Sequence, residues 1–227
     1  MQTKILIIAT SNGRTRDAGK PTGLWLEELA GPYWQFIDSG HAVSIASPLG
    51  GAIPIDPGSV RSAGTNAATV ERFLNDAHGQ ALLQNSIALN TRKGSDFHAV
   101  YFPGGHGTMW DLPADANVVR VVNEAWAAER VVGSVCHGAA GLVGATKADG
   151  TPLVAGLRVN SFTDEEEIAA GLMTVVPFAL EAKLRALGAR FERGPMWRAF
   201  AIADGRLITG QNPASSQRVA ALMIAAI

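Results

Sequence analysis

The only cysteine of this chain lies in a pattern suited to a nucleophile. The segment Val131-Val132-Gly133-Ser134-Val135-Cys136-His137-Gly138-Ala139-Ala140-Gly141 passes from a β-branched run straight into small residues. Ser134 at minus two and Gly138 at plus two have the small-x-nucleophile-x-Gly spacing of a tight strand-to-helix turn, which lifts a reactive atom above a sheet. Small flanks let the strand and the following turn approach closely. A thiol at such a helix start is expected to favour its thiolate form, through free N–H groups and the helix dipole. His137, its neighbour, is placed to act as base or proton carrier. Spacing alone is equally compatible with a buried core cysteine, the usual setting of a free thiol.

Two further groups of residues carry possible chemistry. Gly104-Gly105-His106-Gly107 follows an apolar run, so its backbone can approach a ligand and offer N–H groups to an oxyanion. The acids Asp164-Glu165-Glu166-Glu167 follow Phe162-Thr163, where they also suit the dipole of a helix capped by Thr163 or Asp164. Glu28, on a stretch with Trp25, Leu29, Tyr33 and Phe36 near one face, turns closer to that apolar face than Glu27 does. A solvated helix acid is the plainer reading of Glu28 considered alone.

The elements that must position these groups read as an α/β fold. Lys4–Thr10, Ala42–Ser47, Phe97–Pro103 and Val131–Val135 are short apolar runs of the kind found in buried parallel strands. Helical patterns lie between them: from Leu24 onward with Pro32 as a kink or restart, around Val70, Phe73 and Leu74, and over 114–130 with Val118, Val119, Val122, Ala125 and Trp126 inward. Gly156–Ser161 predicts a short strand. Arg198–Asp204 and Arg206–Gly210 predict a hairpin about Asp204-Gly205, and Ser215–Ile227 a last helix. Alternation of this kind indicates a doubly wound, mostly parallel sheet with function at the carboxyl ends of its strands. Three candidate features fall at such ends, which favours the elbow reading. No repeat or linker divides residues 1–227, which are expected to form one domain.

Composition narrows the function. Of 227 residues, 47% are apolar and 17% charged, as in an ordered globular protein. A net charge of −1 without a basic block argues against nucleic acid and anionic membrane partners. One cysteine excludes an internal disulfide, and five scattered histidines show no close metal-ligand spacing. The apolar start is too short for a signal core or membrane span, so the cytoplasm is the expected compartment.

The chain resembles the ThiJ/PfpI superfamily of glutamine-amidotransferase-like proteins, and within it the heat-shock chaperone and glyoxalase III branch. The likeness runs through Thr22-Gly23-Leu24 to Glu28, Ser47-Pro48 with Gly50-Gly51, Gly104-Gly105-His106-Gly107 with Asp111-Leu112, Val135-Cys136-His137-Gly138, Ser161-Phe162-Thr163-Asp164 to Glu167, and Thr209-Gly210-Gln211-Asn212-Pro213. The resemblance implies a flavodoxin-like fold, with Cys136 as nucleophile, His137 as its histidine and Glu167 as the third triad member. Glu165 and Glu166 are the alternatives one register away. It implies that Glu28 contacts the thiol, and that Gly105, His106 and the His137 backbone form the oxyanion and substrate site. The implied reaction needs no cofactor or metal and converts a small dicarbonyl, methylglyoxal, with water to D-lactate. A homodimer is implied too. A cysteine hydrolase and a holdase chaperone or redox-responsive protein are the competing classes, separated by lactate formation without glutathione.

Overall fold

The computed structural model describes residues 2–16 and 19–227. Nine strands are present among them: β1 (Lys4–Ile8), β2 (Ala42–Ser47), β3 (Ile87–Ala88), β4 (Ala99–Phe102), β5 (Val131–Val135), β6 (Arg158–Val159), β7 (Arg190–Phe191), β8 (Ala201–Asp204) and β9 (Leu207–Gly210). The helices are α1 (Leu26–Asp38), α2 (Ala68–Leu74), α3 (Ala77–Gln84), α4 (Thr108–Asp111), α5 (Ala116–Ala127), α6 (Asp164–Ala169), α7 (Leu180–Ala186) and α8 (Ser216–Ala226). Seven strands form one sheet in the order β3-β2-β1-β4-β5-β9-β8, parallel except where β8 runs antiparallel to β9. The sheet is therefore the doubly wound one that the alternating pattern predicts, and of the flavodoxin-like kind that the family resemblance implies. The short strand expected near Gly156 shrinks to β6 and leaves the main sheet. It pairs in parallel with β7 instead.

Strand alternation divides the core. Ile5 and Ile7 of β1, with Tyr101 and Val135, face α1 and α8, while Leu6 and Ile8, with Phe102 and Val132, face α5. Side chains alternate with a period of two, so an unbroken apolar run fits a strand covered on both faces. On α5 the buried residues are Val118, Val121, Val122 and Ala125, whereas Val119 and Trp126 are half-buried. The helix is shorter than its sequence pattern because Asp115 caps it, accepting from the N–H groups of Asn117 and Val118. No helix among the described residues is long and apolar enough to cross a membrane.

Helix α1 begins two residues later than its apolar pattern, because Leu24 is held extended: its N–H donates to Pro54 and its carbonyl accepts from Asp56. Pro32 neither ends nor restarts the helix. Lacking an N–H, it leaves the carbonyl four residues earlier, on Glu28, without its helical donor. The buried Tyr101 hydroxyl of β4 donates to that carbonyl at 2.8 Å. Tyr101→Phe should therefore cost about 1–3 kcal/mol by orphaning a buried acceptor. In a Pro32→Ala background the helical N–H returns, so the same substitution should cost roughly 1 kcal/mol less in urea denaturation. Equal costs in both backgrounds would refute this account of the proline.

Candidate active site

The carboxyl ends of β4 and β5 build the site. Cys136 follows β5 with φ of +56°, a left-handed conformation that strains a non-glycine residue by about 1–3 kcal/mol. The surrounding turn dictates this geometry. A side chain at Gly138 would place its Cβ 2.2 Å from the Phe102 carbonyl oxygen, so the chain can cross β4 there only without one. Residues 136–142 continue as 3₁₀ turns rather than the α-helix the sequence suggests. Cys136 is only 4% exposed.

Three side chains from separate segments meet beside it. His137 Nδ1 lies 3.3 Å from Cys136 Sγ, and its Nε2 donates to Glu167 Oε2 at 2.6 Å. His106 Nε2 donates to the other oxygen, Oε1, at 2.8 Å. The two imidazole rings are tilted at 41° with centroids 4.0 Å apart, and the Phe162 ring packs against His137 at 4.5 Å. Because Nε2 of His137 carries its proton toward the carboxylate, Nδ1 is left as an acceptor for the thiol. The neighbouring acids have other tasks. Glu165 is exposed and pairs with Arg193. Glu166 is fully buried and closes a capping box with Thr163. Its Oε1 also accepts from the Trp197 N–H, Gln211 Nε2 and Asn212 Nδ2.

Substitution by Gln should separate the three glutamates. Glu167→Gln should lower turnover by about 10²-fold or more while the fold persists. Glu166→Gln should destabilise by about 1–3 kcal/mol, since one amide cannot accept from every donor around it. Glu165→Gln should stay within about 0.5 kcal/mol of wild type. Paired kinetics and denaturation curves check the assignment, and a catalytic loss from Glu165→Gln would overturn it.

Glu28 reaches the thiol from α1. It is fully buried, and its Oε2 accepts from the Gly104 N–H at 2.6 Å. Its Oε1 has no well-formed hydrogen bond among the described residues. Burial, opposed by contacts with the Cys136 thiol and the Gly104 amide, pushes its pKa up to about 8. Burial, together with the Glu28 carboxyl, also pushes the Cys136 thiol well up. This corrects the expectation of a ready thiolate, because loss of solvent around sulfur outweighs a short 3₁₀ terminus. At neutral pH the thiol keeps its proton and Glu28 is mostly, not wholly, protonated. Alkylation of Cys136 by iodoacetamide should accordingly keep accelerating as pH rises past 8; a rate already level at pH 7 would contradict this.

The electrostatics of the remaining pair complement this state. Burial and the adjacent His106 lower His137 to about 4, so its imidazole is neutral. Burial acts to raise Glu167, but hydrogen bonds from His106 and His137 overcome it and hold the carboxyl at about 2. A neutral base therefore faces a neutral thiol, with a fixed anion behind the base. Gly105 has φ of +100°, and a Cβ there would stand 2.2 Å from the Gly23 oxygen. Its N–H has no acceptor among the described residues. Gly105 lines the same cavity as Cys136 and His137, and the His137 amide contacts the sulfur.

These groups open into a cavity of about 520 Å³ lined by Trp25, Glu27, Glu28, His106, Phe162 and Trp197, among others. Two of its walls were not apparent from sequence as functional. Trp197 sits at φ of +60° and is half exposed, packed on Phe162 at 5.6 Å, and its backbone is tethered by Glu166. Trp25 reads as core from its helical spacing but caps α1 at the cavity rim. No periodicity marks a residue positioned by a distant buried carboxylate.

A doubly wound sheet bearing a cysteine at this turn is the architecture of DJ-1/ThiJ/PfpI proteins. The fold matches a ThiJ/PfpI domain protein from Brachyspira murdochii with a TM-score of 0.64 at 15% identity over 100% of this chain and 97% of that one. No protein-family model matches the chain. Full-length relatives are more specific. The glutathione-independent glyoxalase HSP31 of Saccharomyces cerevisiae is 30% identical over 99% of this chain and 98% of that protein. A crystal structure of glyoxalase III from Candida albicans superposes with a TM-score of 0.90 at 28% identity, covering 99% and 97% of the two chains. Rapid Encystment Protein 24 KDa of Francisella tularensis superposes at 0.94 with 35% identity, covering 99% of each. The chain belongs to the glutathione-independent glyoxalase family of the ThiJ/PfpI superfamily.

Proposed function

We propose that the protein is a glutathione-independent glyoxalase, converting methylglyoxal and water to lactate, in the D configuration that the family resemblance implies. The observation that carries this reading is a buried thiol between a neutral imidazole acceptor at 3.3 Å and a buried carboxyl whose pKa is about 8. Cys136 sulfur adds to the aldehyde carbon as its proton passes to His137 Nδ1 and on to the new alkoxide, giving a hemithioacetal. The N–H groups of Gly105 and His137 hold the oxygen while it is negative. Glu28, in the minor ionised fraction that a pKa of about 8 leaves near neutrality, takes the proton from the former aldehyde carbon, and the hemithioacetal hydroxyl proton passes to the ketone oxygen, giving an enediolate. Glu28 then returns a proton to the adjacent carbon. The product of that transfer is a thioester. Water cleaves it, releasing the hydroxyacid and restoring the thiol. Glu167 keeps His137 in the tautomer that presents Nδ1 as acceptor, the task of the third member in such triads.

The test is lactate production by purified protein from methylglyoxal, without glutathione, resolved with D- and L-specific dehydrogenases. D-lactate formation that ends when Cys136 is alkylated is expected. Absence of lactate, or a strict need for glutathione, would overturn the proposal.

A further inference from the structure

The cluster behind the thiol has a second chemical capability. His106, His137 and Glu167 come from three separate segments, yet one ring nitrogen of each histidine and a carboxylate oxygen lie within 4.8 Å of one another. Both nitrogens already point at the same carboxylate, at 2.8 and 2.6 Å. Donor atoms around a shared tetrahedral ion, with bonds of about 2.0–2.2 Å, stand roughly 3.4 Å apart. The cluster is therefore close to a coordinating arrangement without rearrangement of the backbone. Two imidazoles and one carboxylate are donors that zinc accepts readily, and three protein ligands leave a fourth position for water. His106 and His137 line the cavity, which gives an ion a route from solvent.

We propose that His106, His137 and Glu167 form a zinc-binding site, and that zinc bound there switches the enzyme off. Occupation takes the lone pair of His137 Nε2, so the single proton of this neutral imidazole must reside on Nδ1. One proton leaves Nε2 and one is taken up at Nδ1, with no change in imidazole charge and no electron transfer. Nδ1 then presents an N–H to Cys136 across the 3.3 Å contact and has no lone pair for the thiol proton. The glyoxalase reading underlies only the loss of activity; zinc uptake is a property of the cluster itself.

The test measures zinc uptake by equilibrium dialysis on the folded chain, in wild type, Cys136→Ser, His106→Asn and Glu167→Gln. One zinc per chain is expected in wild type and in Cys136→Ser. Affinity should fall by at least about 10-fold to 100-fold in the other two, with thermal transitions confirming that each is folded. Cobalt(II) supplies a reading that needs no His106 or Glu167 variant. Its complex with wild type should lack the near-ultraviolet thiolate-to-metal charge-transfer band. Loss of binding in Cys136→Ser with retention in His106→Asn would place the ion on the thiol and overturn the site, as would no stoichiometric uptake by wild type. Zinc should also suppress lactate formation in proportion to site occupancy, with EDTA restoring it. Uptake without any lactate activity would refute the glyoxalase function and leave the metal site standing. Uptake with undiminished activity would refute the switch.

Discussion

Cys136→Ala should leave less than about a hundredth of wild-type lactate formation, the scale on which losing a group central to proton and bond transfer is felt. The alternative is enolisation without covalent capture. In that case Glu28 and the amides of Gly105 and His137 would act on free dicarbonyl, and substantial activity would survive without sulfur. The structure makes the two routes separable. Alanine fills most of the same buried volume and meets the same left-handed backbone, so stability should change by no more than about 1 kcal/mol. The rest of the site, including the Glu28 contact with Gly104 and the Glu167 contacts with both histidines, does not depend on the thiol. Turnover above about a hundredth in a variant that melts normally would sink the covalent mechanism.

The parts of this site that sequence exposes are those set by local backbone demands. Val131–Val135 must be a buried strand, and Ser134 and Gly138 must be small, because the turn at Cys136 runs against the Phe102 backbone. The doubly wound, mostly parallel class of the sheet is legible from the same kind of signal, since strands covered on both faces are uniformly apolar. Features set by tertiary contact were less visible. The Glu28 carbonyl that Pro32 leaves open in α1 is filled by Tyr101, 73 residues away from Glu28, and nothing local to either residue announces the partnership. The resting state of Cys136 is hidden from the sequence for the same reason. A helix terminus can be inferred from its flanks, but removal of water around sulfur by a second element bearing Glu28 cannot. Likewise three adjacent acids, alike in sequence, diverge because α6 turns one to solvent, one to a buried amide network and one to the imidazoles.

Glu28→Gln should lower turnover by about 10²-fold or more, against a much smaller effect of Glu27→Gln, because only Glu28 touches the thiol and can carry a proton there. The same substitution should alter how stability depends on pH. Folding raises the Glu28 pKa from its ordinary 4.5 to about 8, so between those values the native chain keeps a proton that the unfolded chain has released. Stability from this group is thus full below about 4.5 and is lost as pH rises toward 8. His137 has the opposite sign: its pKa falls from 6.5 to about 4, so the unfolded chain protonates first on acidification and stability declines below 6.5. Asp111, raised by burial from 3.8 to about 6, acts below this upper window too. From 6.5 to 8 Glu28 is left as the main contributor of the three. At about 1.4 kcal/mol for each pH unit, wild type should lose roughly 2 kcal/mol across that window. The Gln variant has no charge to bury, and its amide oxygen can still accept from Gly104, so its urea-derived stability should stay nearly level there. A level wild-type profile, or an equal decline in the variant, would mean that Glu28 is not the buried acid on which the proton transfer depends.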